Sequence, residues 1–101
     1  MRILAYFTQD GDPKTGLTPT IKIVELSSNS VIVNEETMSE TAIPGSYQYN
    51  FTNYNVYNDY AIRCDGGPTL SNYERYTYGA NDYVSLSDME DSLEDSDGSI
   101  G

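Results

Sequence analysis

Residues able to do chemistry are few in this chain, and their types narrow what that chemistry could be. There is no histidine, which removes the commonest general base and the commonest metal ligand. The single cysteine, Cys64, excludes an intramolecular disulfide and has no base partner that would make it a nucleophile. Its alternation with Tyr60 and Ile62 predicts a buried, inert thiol instead. Asp59 and Asp65 flank the same segment; without a paired nucleophile they read as turn-flanking carboxylates, and the protein reads as a non-enzyme. Asp10 and Asp12 offer a cation two carboxylates, whereas calcium takes roughly six to eight oxygens. That loop therefore reads as turn chemistry. Near the C-terminus, Asp95-Ser96-Asp97-Gly98-Ser99-Ile100 matches half of an EF-hand loop. Leu93 stands where its first ligand should be, and the chain stops before a closing glutamate, so no calcium is expected there. No metal and no cofactor are expected.

The elements that must position these residues are β-strands. Tyr47, Tyr49 and Phe51 share one face by period-2 alternation, with Gln48, Asn50 and Thr52 opposite. Tyr60, Ile62 and Cys64 repeat the pattern, with Ala61, Arg63 and Asp65 opposite. Gly45 and Gly66-Gly67 bound this pair of strands, which the polar, Tyr-rich connection Thr52–Asn58 joins. The pair reads as the nucleus of a sheet, with Tyr47, Tyr49, Phe51, Tyr60 and Ile62 facing the core together.

Upstream, Arg2–Thr8 is a strand with Ile3, Ala5 and Phe7 on one face and Leu4 and Tyr6 on the other. Apolar residues on both faces imply a strand covered on both sides, or one at an interface. Gln9–Gly16 is dense in turn formers and reads as a loop. Thr18–Leu26 and Val31–Val33 form a hairpin through Ser27–Ser30, and Asn34-Glu35-Glu36 turns the chain again. Met38–Ile43 is a polar edge strand. Thr69–Asn72 is an irregular link, and Tyr73–Tyr78 the last strand, closed by Gly79-Ala80-Asn81. Seven short strands with close turn signals, and no helix-period segment before residue 84, predict an all-β, seven-stranded antiparallel Ig-like sandwich over residues 1–81.

Length and composition agree with that. The chain has 101 residues, enough for one domain with a modest core. Ten of its twelve aromatics are Tyr and none is Trp. Tyr can fill a small core while its hydroxyl reaches the rim; the other use is an exposed Tyr patch for sugar or protein. Met1-Arg2 leads straight into Ile3–Phe7, too short for a signal-peptide core with its cleavage site, and no segment approaches membrane-spanning length. The lack of paired cysteines fits assembly in a reducing cytoplasm.

Charge divides the chain in two. The net charge is −11, of which residues 1–81 carry −4 and residues 82–101, with seven acidic and no basic side chains, carry −7. Phosphates would be repelled, so nucleic acid is not an expected partner; a basic or neutral protein surface suits the tail better. Composition alone makes residues 82–101 a solubilising segment. Yet Ser87-Asp88-Met89-Glu90 matches a helix capping box, and Leu86, Met89 and Leu93 form a thin apolar stripe beside the acidic Glu90, Asp91 and Glu94. A helix of about two turns is marginal alone in water, so this segment is expected to dock on a partner.

Over about residues 6–80 the chain resembles small Ig-like or transthyretin-like β-sandwich modules of tailed-bacteriophage virion proteins. The resemblance is carried by Asp12-Pro13-Lys14-Thr15-Gly16-Leu17-Thr18-Pro19-Thr20-Ile21 and by Gly45-Ser46-Tyr47-x-Tyr49-x-Phe51. It continues in Asp59-Tyr60-x-Ile62-x-Cys64-Asp65-Gly66-Gly67 and Glu74-Arg75-Tyr76-x-Tyr78-Gly79. Its Gly-x-Tyr and Asp-Gly patterns specify a sandwich; Gly-Leu-Thr-Pro and Cys-Asp-Gly-Gly point to phage. It implies a structural virion component, such as a capsid decoration or head–tail accessory protein. Such a protein would be made in the host cytoplasm and would bind the major capsid protein, other virion proteins or copies of itself, with no membrane partner. The competing expectation is a module binding a host glycan or receptor through a Tyr-rich face.

Overall fold

The computed structural model describes residues 1–81; the acidic segment 82–101 lies outside the described residues. The described chain is all-β apart from one helical turn. Its strands are β1 Arg2–Tyr6, β2 Thr8–Gln9, β3 Asp12–Pro13, β4 Thr20–Glu25, β5 Ser30–Thr37, β6 Ser39–Glu40, β7 Ser46–Asn50, β8 Tyr60–Asp65 and β9 Tyr76–Asn81. The helical turn is α1, Asn72–Arg75. All pairings are antiparallel. They give a three-stranded sheet in the order β1-β7-β6, a four-stranded sheet in the order β5-β4-β8-β9, and a small β2-β3 ribbon. No helix among the described residues is long and apolar enough to cross a membrane.

The inward faces of the two larger sheets meet on one core. Ile3, Ala5 and Tyr47 come from the first sheet, and Ile21, Ile23, Val33, Tyr60, Ile62 and Cys64 from the second, with Phe7, Met38, Phe51 and Leu70 between them. The alternation read from the sequence is the alternation that is buried. Tyr47, Phe51, Tyr60, Ile62 and Cys64 are inside, and Tyr49 is half-buried against them. Tyrosine hydroxyls reach partners at the rim, as their amphipathic rings require. Tyr47 donates to the Lys14 carbonyl oxygen at 2.8 Å and accepts from the Leu17 amide at 3.1 Å. Tyr60 accepts from the Asn55 amide at 3.1 Å.

Four expectations are corrected. First, the strands Tyr47–Phe51 and Tyr60–Asp65 do not pair with each other. β7 lies between β1 and β6, and β8 between β4 and β9. Residues 51–59 cross from one sheet to the other, and Phe51 and Tyr60 meet through their rings rather than their backbones.

Second, the first strand breaks at Phe7. The Phe7 amide donates to Gly45 O at 2.8 Å and the Lys14 amide donates to Phe7 O at 3.0 Å, which takes its backbone out of the β1-β7 ladder. Gly45 is required at this crossing. Its φ is +84°, and a Cβ there would lie 2.8 Å from Phe7 O. Beyond Phe7 the expected loop forms the β2-β3 ribbon, turning at Asp10-Gly11.

Third, Asn34-Glu35-Glu36 does not turn the chain. Between the pairs Ile21↔Glu36 and Ile23↔Val33, β5 holds one residue more than β4. Glu35 absorbs it as a bulge at φ +53°, so the strand continues.

Fourth, the last strand begins three residues late, because Asn72–Arg75 is helical. The Glu74 and Arg75 amides both donate to Ser71 O, at 2.9 and 2.8 Å. Ser71 Oγ donates to the Glu74 carboxylate at 3.1 Å. The Ser-x-x-Glu spacing that marks helix starts is present here too, although the Ser71 side chain bonds the Glu74 carboxylate rather than capping a backbone amide. The Gly66 amide donates to Arg75 O at 2.7 Å, and a Cβ at Gly66 would lie 2.7 Å from both the Leu70 and Phe7 side chains. With these changes the seven expected strands become nine among the described residues.

Candidate functional site

The chemistry-bearing residues singled out from sequence do not converge. Cys64 faces the core, and burial pushes its thiol up to about 11 despite the Arg63 charge beside it. At neutral pH it is a protonated, buried thiol. Asp65 sits at the rim, where Arg75 donates to its two carboxylate oxygens at 2.7 and 3.1 Å and the Gly67 amide adds a third bond at 2.9 Å. The Arg75 hydrogen bonds hold its carboxyl below the usual range. Asp59 is exposed. Asp10 and Asp12 belong to the β2-β3 ribbon, and Asp10 occupies its left-handed turn position. Among the described residues there is no group of three His, Cys, Asp or Glu side chains placed to share a metal ion. Leu86, Met89, Leu93, Glu90, Asp91 and Glu94 lie outside the described residues.

One carboxylate missed in the sequence organises an end of the fold. Glu74 accepts from the Gly11 amide at 2.9 Å, the Thr8 hydroxyl at 2.8 Å, the Asp10 amide at 3.0 Å and the Ser71 hydroxyl at 3.1 Å. These donors lower its pKa to about 2, the Gly11 amide most. Stabilisation of the ionised form by several donors is the cause. The carboxylate is a latch between the ribbon and α1. The sequence signal was Ser71-x-x-Glu74, the same spacing recognised at Ser87.

What remains available to a partner is surface. Among the described residues, β1 and β9 are unpaired edges of their sheets. On the outward face of β1, Leu4 and Tyr6 stand two residues apart, 66% and 55% exposed. Their cross-strand neighbours on β7 are the polar Gln48 and Ser46. Of the two expectations for this strand, covered or at an interface, the described residues provide no cover.

The outward face of the four-stranded sheet is polar and aromatic. The Arg63 guanidinium pairs with Glu35, which also accepts from the Thr20 hydroxyl at 2.9 Å. The Arg63 hydrogen bond lowers the Glu35 pKa and raises that of Arg63. Opposite on β9, the Tyr76 and Tyr78 rings stack with centroids 6.3 Å apart, and the Arg75 guanidinium lies 4.9 Å from the Tyr76 ring centre. Tyr78 is largely exposed.

Comparison with known proteins finds no matching family model, no matching curated protein and no matching solved structure.

Proposed function

We propose that this protein is a non-enzymatic structural component of a tailed-bacteriophage virion, an Ig-like sandwich that binds other virion proteins as a capsid decoration or head–tail accessory protein. The observation that carries the binding role is the Leu4/Tyr6 strip on the open edge strand β1. Apolar groups held in water on a sheet whose edge is unpaired are a place for another protein to sit. The virion setting rests on the resemblance of the Gly-Leu-Thr-Pro and Cys-Asp-Gly-Gly segments. The segment from Ser87 onward, with Met89 and Leu93 among its carboxylates, adds a second, acidic contact. The buried Cys64 thiol and the lack of histidine support the non-enzymatic part. The test is mass spectrometry of purified particles, in which a structural component is present in fixed ratio to the major capsid protein. Absence from particles would overturn the reading.

A second reading has its own observation. The Tyr76–Tyr78 stack, with Arg75 beside it, puts aromatic surface and hydrogen-bonding groups together on an exposed sheet face, as recognition of a host glycan or receptor would need. Glycan-array binding by the isolated protein, lost in Tyr78→Ala, is its test.

A further inference from the structure

Among the described residues, the edges of the two larger sheets are not alike. β5 carries Glu35 and Glu36 and is bulged at Glu35, and β6 is two residues long and ends in Glu40. Bulges, charges and shortness are what keep an edge from pairing with another chain. β1 carries Arg2. Along β9, from Tyr76 to Ala80, there is no charge, no proline and no bulge against β8. In a chain of net charge −11, this is the edge that another copy can approach with the least repulsion.

Its backbone is aimed for pairing. The Gly66 amide donates to Arg75 O at 2.7 Å, one step beyond the pair Asp65↔Tyr76. Hydrogen-bonded and non-hydrogen-bonded pairs alternate along an antiparallel ladder. Tyr76, Tyr78 and Ala80 are therefore non-hydrogen-bonded positions against β8, and their N–H and C=O groups point out of the sheet edge. We propose that this edge pairs antiparallel with itself in a second copy of the chain, about a twofold axis at Tyr78. Two four-stranded sheets then become one of eight strands.

Side-chain size selects that axis. Tyr78 falls opposite Tyr78 of the second copy, Tyr76 opposite its Ala80 and Thr77 opposite its Gly79. Residues directly opposite share a face of the sheet, and an aromatic pair at the centre is favourable. On the outer face, Ala80 and its β8 neighbour Ala61 leave room for the incoming Tyr76 ring. On the inner face, the incoming Thr77 enters the space beside Gly79, where a Cβ meets nothing within 4 Å. That space belongs to a cleft of about 260 Å³ between the start of β1 and β9, which Ile62 and Cys64 also line. An axis at Thr77 would set Ala80 against Glu74 of α1, and an axis at Gly79 would run Tyr76 past the end of the strand. Only the axis at Tyr78 sets each large residue against a small one and uses the edge from Tyr76 to Ala80. The same surface serves both copies, so the contact closes at two.

The inference rests on the geometry of the edge and not on the virion reading, and its test needs no particle. Sedimentation velocity of the full-length protein over a concentration series should show a monomer–dimer equilibrium. Tyr78 is 74% exposed, so Tyr78→Lys spares the fold. It removes the aromatic pair and sets two ammonium groups opposite each other at the axis, which should weaken dimerisation by about tenfold or more. Leu4→Lys, on β1, should leave it unchanged. In a mixture of differently labelled copies, isotope-filtered NMR should place the Thr77 methyl of one copy against Gly79 Hα of the other, a readout that needs no variant. A protein that stays monomeric up to about 1 mM, the weak end of the affinity scale, would overturn the proposal. So would a dimer without those contacts, or one that Leu4→Lys breaks and Tyr78→Lys does not.

Discussion

The rings of Phe51 and Tyr60 meet edge to face, centroids 5.0 Å apart and planes at 87°, where the chain crosses from the three-stranded to the four-stranded sheet. Both are buried, and Tyr54 packs against both, at 6.1 and 5.8 Å. Such pairs add about 0.5–1.5 kcal/mol to the burial of the rings themselves. Phe51→Ala removes this hinge of the core and should cost ~3–5 kcal/mol. In a domain of this size that is a melting temperature lower by more than about 10 °C. A variant melting within a degree or two of the wild type would mean that the two sheets are not joined there.

Tyr47 makes a finer test, because its ring and its hydroxyl can be separated. The ring is fully buried and edge-on to Phe7 at 5.8 Å, while the hydroxyl bonds Lys14 O and Leu17 N. Tyr47→Phe keeps the ring and leaves a part-buried acceptor and donor without a partner, a loss of about 1–3 kcal/mol. The loop from Lys14 to Leu17 should loosen with it, seen as faster amide exchange at Leu17 and little change at Ile21 or Ile62. Equal loss of protection throughout would place the role of the hydroxyl in the core rather than in the loop.

Much of the core was legible because burial imposes a period of two on any half-covered strand. Ile3, Ala5 and Phe7, then Tyr60, Ile62 and Cys64, alternate inward as their spacing required. The partnership of strands was not legible. Tyr47–Phe51 and Tyr60–Asp65 are neighbours in sequence but belong to opposite sheets, and no local pattern distinguishes a hairpin from a crossover of this length. The Glu35 bulge and the α1 turn were missed for another reason. Both use a polar residue whose carboxylate finds a distant donor, Arg63 in one case and the Asp10-Gly11 amides in the other. The apolar edge at Leu4 and Tyr6 was legible as a choice between cover and interface, and among the described residues nothing covers it.

Acid should act on the Glu74 latch. Its folded pKa is about 2, against an ordinary value of 4.5. The depressed pKa means that its contribution is fully present above pH 4.5 and fades as pH falls from there towards 2. Asp65 and Glu35, also lowered, add to the same acid limb. Glu74→Gln cannot gain charge-assisted bonds at any pH, so it should melt lower at pH 7 and show a shallower fall between pH 4.5 and 2. Parallel pH–melting curves for the two proteins would show that the latch does not set acid stability.

The proposed docking role separates two kinds of contact by salt. Leu4→Ser with Tyr6→Ser removes the apolar strip from a face that is already exposed, so the double variant should melt close to the wild type. A chain ending at Leu86 removes Met89, Leu93 and the carboxylates Glu90, Asp91 and Glu94. It too should fold. Each should load poorly onto particles lacking this protein, but their responses to salt should differ. Contacts between exposed carboxylates and a basic partner weaken as screening shortens to about 3 Å at 1 M salt, whereas apolar contacts do not. Residual loading of the Leu4/Tyr6 variant, held by the acidic segment, should therefore weaken between low and high salt. Residual loading of the shortened chain, held by the β1 strip, should persist. Sedimentation of particles with each protein across a salt series measures this directly. Equal salt sensitivity of the two variants would mean that strip and segment do not contact the partner separately, and normal loading of the shortened chain would leave residues 87–101 as a solubilising appendage.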